Sequence, residues 1–156
     1  MKAILDRYAF HIVFVVFAAI VATLVVNHRT SVDDGRRAET DVFAPYFGAI
    51  GEGRFAEAWA FHSDDWRQRH PEAEFTGYYR KLLADEGPVV SRNVWGSRRL
   101  GLPVVGSPGV VVDYQLGLKG AFYAITYTLV PTSDGRLLID AGVSTSGNMR
   151  LVSRPW

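Results

Sequence analysis

Several residue types that support common chemistries are missing or scarce in this sequence. It contains no cysteine, which excludes thiolate nucleophiles, disulfide bridges and cysteine-ligated zinc sites. The formal net charge is only +1, and acidic and basic side chains are interspersed along the chain. A nucleic-acid-binding protein needs a basic stripe to contact phosphates, and none is present. We therefore expect no nucleic-acid partner.

Sequence motifs for metal and phosphate binding are missing as well. The histidines share no ligand spacing, so we expect no metal site and no cofactor; they are His11, His28, His62 and His70. No glycine-rich phosphate loop follows a predicted strand, and no serine occupies a nucleophile-elbow motif. Motifs alone therefore give no indication of catalysis.

One long apolar run is present, close to the N-terminus. Residues 9–26 read AFHIVFVVFAAIVATLVV and contain no Asp, Glu, Lys or Arg. At the helical rise this run covers about 27 Å, close to the roughly 30 Å hydrocarbon thickness of a bilayer. We predict a transmembrane anchor over residues 1–27, with Phe14 and Phe17 in the membrane and Tyr8 at its interface.

Two other interpretations of the apolar run stay open. A cleaved signal peptide also begins with basic residues and an apolar stretch, and a peptidase could cut after Ala22. The apolar run continues past that residue, which is unusual for a signal peptide. The third interpretation is a buried core helix, because the run is apolar on every face.

His11 is the one polar ring within the apolar run. An intramembrane histidine can serve as an axial ligand to a metalloporphyrin or as part of a proton path. The alternative is a neutral imidazole that reaches the headgroups or a neighbouring helix. We favour the neutral imidazole, because His11 lies only about one turn from the Tyr8 end.

The charges that flank the run do not decide its orientation. Lys2 and Arg7 precede it, and Arg29, Arg36 and Arg37 follow it. A short basic tail before a first apolar helix usually stays in the cytoplasm, and a long following domain is translocated with little regard to charge. We expect a single-pass protein of the inner (cytoplasmic) membrane with its C-terminal domain in the periplasm.

Residues 28–40 are polar, contain Gly35 and show no apolar period, which predicts a linker before a domain at 41–156. The first half of that domain has apolar side chains at helical spacing. The pattern predicts helices over about 42–50, 53–62 and 74–84, with a short helix around Trp66.

From Val89 onward the apolar period changes to the alternation of strands. It predicts four strands over 89–100, 110–118, 121–130 and 136–144, the first of them bent at Gly96. Consecutive hairpins form an antiparallel meander, and the helices must cover one face of it. The predicted class is α+β, with helices packed on a curved antiparallel sheet behind the membrane anchor.

Three stretches resemble the nuclear-transport-factor-2-like (cystatin-like, SnoaL-like) superfamily: GRFAEAWAFHSDDWRQ, EFTGYYRKLL and SPGVVVDYQLGLKGAFYAITYTLVPTSDGRLLIDAGVS. Its Gly-aromatic-x-x-Ala helix start matches Gly53-Arg54-Phe55 with Ala58, and its Asp-Gly turn matches Asp134-Gly135. The resemblance covers about residues 41–146. Many relatives place Trp just after the turn, where this chain has Leu137-Leu138.

The resemblance implies a cone-shaped domain of three helices and a curved sheet that enclose a pocket. Many members bind small apolar ligands there, and others are interaction or assembly modules of membrane complexes. The residues expected to line the pocket are Trp59, His62, Tyr79, Tyr114 and Tyr127. His62 is a candidate base, although a histidine at a helix end more often caps the last carbonyls.

The isomerases and dehydratases of this superfamily need a general base inside the apolar pocket. The carboxylates of the predicted sheet are Asp113 and Asp140, and alternation places both opposite the apolar side chains. If the apolar side chains face the helices, both carboxylates point outward and miss a substrate in the pocket. A one-residue bulge would reverse this placement.

The sequence therefore favours a non-catalytic accessory or assembly subunit that docks its domain onto a larger membrane protein complex. The expected partners are the lipid bilayer, the subunits of that complex and a second copy paired through the sheet. The alternative is a small-ligand-binding or isomerase- or dehydratase-like domain. It requires a pocket of several hundred Å³ with Asp113, Asp140 or His62 pointing into it.

Overall fold

The fold is that of a computed structural model, which describes residues 15–22, 30–100 and 109–146. Residues 15–22 are helical, and their apolar side chains are exposed, Val15 to 65% and Phe17 to 63%. Among the described residues no helix has the length and apolar character needed to cross a membrane. The other residues of the predicted anchor lie outside the described ranges, among them Tyr8, His11 and Phe14.

The chain between the anchor and the domain differs from the predicted linker. Residues 30–38 form helix α1, which continues through a π-helical turn, Glu39–Phe43, into helix α2, Ala44–Gly51. Helix α1 lies along the first strand of the sheet, and Ala38 is fully buried. The apolar period did not reveal α1 because most of its contacts with the sheet are polar.

Pro45 explains the π-helical turn. It has no N–H to donate to the carbonyl of Asp41, and its ring crowds that carbonyl, so the preceding turn must widen. The backbone N–H of Ala44 accordingly donates to the carbonyl of Glu39, five residues earlier. The wide turn places Val42 and Phe43 in the core, where both are fully buried.

Three further helices follow, α3 (Phe55–Trp59), α4 (Asp64–Arg69) and α5 (Glu72–Glu86). Helix α3 is shorter than predicted because the chain after it pairs with the edge of the sheet. The Phe61 carbonyl accepts from Ile139 N–H at 2.9 Å, and Ser63 N–H donates to the Ile139 carbonyl at 2.8 Å.

The four predicted strands are present as β1 (Val89–Arg99), β2 (Val110–Leu118), β3 (Phe122–Pro131) and β4 (Leu137–Ser146). They form one antiparallel sheet in the order β1-β2-β3-β4, so the predicted α+β class with an antiparallel meander is confirmed.

Three irregularities interrupt the register of this sheet, the first of them at Val90, between the pairs of Val89 and Ser91. Trp95 is the extra residue between the pairs of Val94 and Gly96, and Asp140 is the extra residue in β4. A bulge bends its strand and increases the local twist. Both edge strands are therefore bent.

The core is an aromatic layer between α2 and the middle strands. Phe43 contacts Tyr114 and Tyr127, with ring centroids 4.6 and 4.9 Å away. Phe47 stacks on Tyr114 at 5.3 Å. Aromatic pairs at these distances contribute about 0.5–1.5 kcal/mol each beyond their burial. This layer fixes α2 on the sheet, and one of its rings, Tyr127, also lines the cavity described next.

Candidate functional site

A small cavity lies between the helices and the inner face of the sheet. Its free volume is about 40 Å³. One water needs roughly 10–15 Å³ by this measure, whereas ligand sites usually span hundreds of Å³. The cavity therefore has room for a few waters. Its wall is mostly aromatic and includes Tyr46, His62, Trp66, Phe75, Tyr78, Tyr79, Tyr123 and Tyr127.

The structure brings together three of the five side chains expected to line a pocket. His62, Tyr79 and Tyr127 line the cavity. Trp59 lies elsewhere, because its Nε1 donates to the carbonyl of His70 at 2.9 Å and the Arg67 guanidinium covers its ring.

Tyr114 also lies away from the cavity. Its ring packs between Phe43 and Phe47, on the far side of the aromatic layer. Strand alternation correctly indicates that Tyr114 points toward the helices. The position of α2 decides that its ring packs against Phe43 and Phe47 and does not reach the cavity.

His62 is buried and stacks on Trp66 with ring centroids 3.7 Å apart. Its Nδ1 lies 3.3 Å from the Trp59 carbonyl, which can only accept, so Nδ1 is protonated and Nε2 has the lone pair. Burial lowers the pKa of His62 to about 4. The imidazole ring is therefore neutral at pH 7, and its Nδ1–H donates to a carbonyl at the end of α3. A base with so low a pKa is poorly suited to proton abstraction.

Two phenols form a hydrogen-bonded pair in the cavity wall. The hydroxyls of Tyr46 and Tyr79 are 2.7 Å apart. Burial raises the pKa of Tyr79 to about 12 and that of Tyr46 well above its ordinary value. Both phenols are therefore neutral at pH 7. They can orient a small polar group but cannot act as bases.

The two carboxylates of the sheet are not among the residues that line the cavity. Alternation predicted this outward placement for Asp113, but in β4 the bulge at Asp140 inverts the alternation, so that Val143 is 53% exposed and Gly142 and Ser144 line the cavity. Asp113 accepts from Thr126 Oγ1 at 2.8 Å and from Arg98 Nη1 at 3.1 Å. Asp140, the bulge residue, accepts from Ser63 Oγ at 2.5 Å. Because Ser63 also caps α4, Asp140 ties the sheet edge to that helix. Neither carboxylate is placed to act on a group inside the cavity.

A polar cluster that the sequence did not indicate lies between α1 and β1. Glu39 Oε1 is 3.6 Å from Arg92 Nε, and Arg92 Nη1 donates to the Ala44 carbonyl at 3.1 Å. Burial and the nearby charge of Glu39 raise the pKa of Tyr114 far above its ordinary value.

Trp95 is the most exposed large apolar side chain of the described residues, at 74%. It lies at the β1 bulge between two open depressions. A groove of about 600 Å³ is lined by residues of both α1 and β1. A second depression, of about 450 Å³, lies on the outer face of the sheet. The feature of the sequence that could have indicated this exposed side chain is a tryptophan directly before Gly96, where a bend in the first strand was predicted.

The site offers hydrogen-bonding groups and an exposed aromatic surface rather than an acid–base pair. Across residues 15–22, 30–100 and 109–146, no group of three or more His, Asp or Glu side chains could hold a metal ion. No protein-family model matches the chain, and no curated protein matches it. The function must therefore be argued from geometry and chemistry.

Proposed function

We propose that this chain is a membrane-anchored, non-catalytic accessory or assembly subunit that docks its folded domain onto a larger membrane protein complex. Residues 9–26 form the anchor in the inner membrane, with the N-terminus in the cytoplasm and the domain in the periplasm. The folded domain belongs to the nuclear-transport-factor-2-like superfamily.

The observation that supports the anchor is the exposed apolar helix at residues 15–22. Val15, Phe17 and Ile20 each expose more than half of their side chains. Contiguous apolar surface of this kind needs a covering partner. A bilayer fits, because the run around this helix is free of charge over 18 residues, 9–26.

The helices and sheet support the superfamily assignment. Helices α2 to α5 are joined to a four-stranded antiparallel sheet whose two edge strands are bent by bulges at Trp95 and Asp140. A bent sheet with helices on its inner face has the outline of a cone.

The chemistry of the domain supports docking over catalysis. The cavity contains a buried neutral histidine and neutral phenols, and the sheet carboxylates lie outside it. Its volume is about 40 Å³, far below that of a typical substrate pocket. Apolar side chains on the outer face and at the far end of the sheet, Val143 at 53% exposure and Phe122 at 45%, are available to a protein partner.

Membrane fractionation followed by mild detergent purification tests this proposal. We expect the full-length protein to resist alkaline carbonate extraction and to co-purify with other membrane proteins, identified by mass spectrometry. Recovery as a lone monomer in mild detergent would contradict the docking role. Release by carbonate would contradict the anchor.

One observation favours the alternative of a small-ligand-binding domain. Trp66 Nε1 is buried next to the cavity and has no hydrogen-bond partner among the described residues. A small acceptor ligand would satisfy this donor. A rise in the melting temperature with such a ligand, lost in a Leu82→Trp variant that fills the cavity, would support the alternative.

A further inference from the structure

The proposed anchor places one part of the domain close to the bilayer. Only residues 27–29 separate the end of the apolar run at Val26 from residue 30, where α1 begins in the described chain. A chain extends by at most about 3.6 Å per residue, so residue 30 lies within roughly 14 Å of the hydrocarbon boundary. This limit holds for any conformation of the residues between them. It rests on the proposed function, specifically on the anchor.

The contacts of α1 identify which end of the sheet lies close to residue 30 and therefore to the bilayer. Ser31 in the first turn of α1 is hydrogen-bonded to Ser97 near the end of β1. Asp34 accepts from Arg99 Nε at 2.6 Å and from Arg99 Nη2 at 3.0 Å. Farther along the helix, Glu39 lies beside Arg92. Helix α1 therefore begins beside the end of β1, which places this end of the strand next to the membrane.

Exposed apolar side chains occur at both ends of the domain, Val90 and Phe122 at the far one, and three others lie on α1, on β1 and directly after β1. Val32 is 48% exposed, Trp95 74% and Leu100 44%. Val32 and Trp95 line the same groove, and Arg36 lines it between them. Leu100 directly follows Arg99, which holds α1 against β1.

Tryptophan, aliphatic side chains and arginine together are typical of surfaces that lie at the membrane–water interface. The indole ring prefers the headgroup depth, and arginine reaches phosphates from apolar surroundings. The contact of Arg36 with Asp33 is long, at 3.8 Å, and exposed, so its guanidinium can turn to a lipid phosphate at little cost.

We propose that the surface formed by Val32, Arg36, Trp95 and Leu100, named the Trp95 surface, docks on the headgroup region of the bilayer. The occupant of this surface is lipid, and the domain lies against the membrane that anchors it. Trp95 and Leu100 insert among the headgroups, and Arg36 binds phosphate. Docking leaves the opposite end of the sheet, which includes Phe122, in water.

Site-directed spin labelling of the full-length protein tests the docking. The chain has no cysteine, so one engineered cysteine is the only thiol. Leu100→Cys and Phe122→Cys form a matched pair, because the native side chains are 44% and 45% exposed at opposite ends of the sheet. Phe17→Cys reports the anchor. The proteins are reconstituted at low density in phosphatidylcholine vesicles, which contain no other protein.

We expect nitroxides at Phe17 and Leu100 to collide more often with oxygen than with a water-soluble nickel chelate. The label at Phe122 should show the reverse. In the Leu100→Cys background, Trp95→Ala should lower the ratio of docked to undocked protein about tenfold, because a large apolar side chain loses its burial. Val90→Ala, an exposed change on the same strand, should leave that ratio unchanged.

Three results would overturn the docking of the Trp95 surface on lipid. They differ in what they show about the anchor and about the occupant of this surface. If the Leu100 label is in water while the Phe17 label is in lipid, the anchor stands and the docking is wrong. If both labels are in water, the anchor and the docking both fail. If the Leu100 label is in water in pure lipid but shielded in native membranes, a protein and not lipid covers the Trp95 surface.

Discussion

At the scale of single residues, burial decides the charge of His62. The ring lies between Trp66 and Tyr46, with centroids 3.7 and 5.5 Å away, and has almost no contact with water. A charged imidazole there would lose its hydration, so the folded protein holds the neutral form. The same burial removes His62 as a strong base and makes it sensitive to acid.

The first prediction concerns pH. The pKa of His62 is about 4 in the folded protein, below the ordinary 6.5 of the unfolded chain. Between these values the unfolded state binds the extra proton, so stability falls as the pH drops from 6.5 to 4. The contribution lost is on the order of 3 kcal/mol. Urea unfolding in detergent, followed by tryptophan fluorescence at pH 7, 5.5 and 4, measures it.

Two histidine variants provide the comparison for this pH dependence. His62→Gln should remove most of the loss between pH 6.5 and 4, whereas His70→Gln should keep it. His70 is a suitable control because it lies on the same indole, with centroids 4.4 Å apart, and is only half-buried. Equal pH dependence in the two variants would show that His62 is not the responsible group.

The second prediction concerns the cap of α4. Ser63 Oγ accepts from Trp66 N–H at 3.2 Å and donates to Asp140. Ser63→Ala should lower the free energy of unfolding by about 1–2 kcal/mol, because a helix donor and a buried carboxylate contact both lose their partner. Ser63→Thr should retain most of the stability. A Ser63→Ala protein as stable as the wild type would contradict the assigned role.

At the scale of elements, polar contacts hold α1 in place. The Asp34–Arg99 pair is bidentate and Asp34 is largely buried, whereas Ala38 is the one fully buried apolar side chain of the helix. Bidentate guanidinium–carboxylate pairs add geometric specificity that a single contact lacks. These contacts fix helix α1 on the sheet.

The third prediction follows from this arrangement. Arg99→Gln should loosen α1, raising amide hydrogen exchange at residues 30–38 about fivefold, equivalent to about 1 kcal/mol. Arg36→Gln is the control, because its contact with Asp33 is 3.8 Å long and exposed and should contribute little. Unchanged exchange in Arg99→Gln would show that other contacts fix the helix.

At the scale of the whole molecule, the proposed anchor would determine where the domain works. The exposed helix at residues 15–22 and the folded domain are separated by few residues, so an anchor there would hold the domain close to the bilayer. A docking module in this position can reach only partners at the same membrane surface.

The fourth prediction tests the anchor directly. Phe17→Arg places a charge in the middle of the apolar run and should cost about 2.5–3.5 kcal/mol of insertion free energy. We expect part of the protein to move to the carbonate-soluble fraction, measured by immunoblotting. Phe17→Leu keeps the apolar character and should remain with the membranes. Equal retention of both variants would contradict a span centred on this residue.

The sequence by itself determined the elements whose causes are local. Strand alternation and the Asp134-Gly135 turn predicted the meander, and the apolar spacing predicted the short helix around Trp66 that is α4. His62, Tyr79 and Tyr127 were expected in a pocket wall, and they line the cavity. The length of the uncharged apolar run at residues 9–26 likewise predicted a membrane anchor, and this anchor remains a prediction.

Only the tertiary structure decided the features that depend on distant contacts. Helix α1 is held by residues more than 60 positions away, Asp34 by Arg99, so no local period reveals it. The bulges at Trp95 and Asp140 arise from the register between strands, which alternation within one strand does not contain. The cavity volume and the exposure of Trp95 follow from how these elements pack, because packing is a property of the assembled fold.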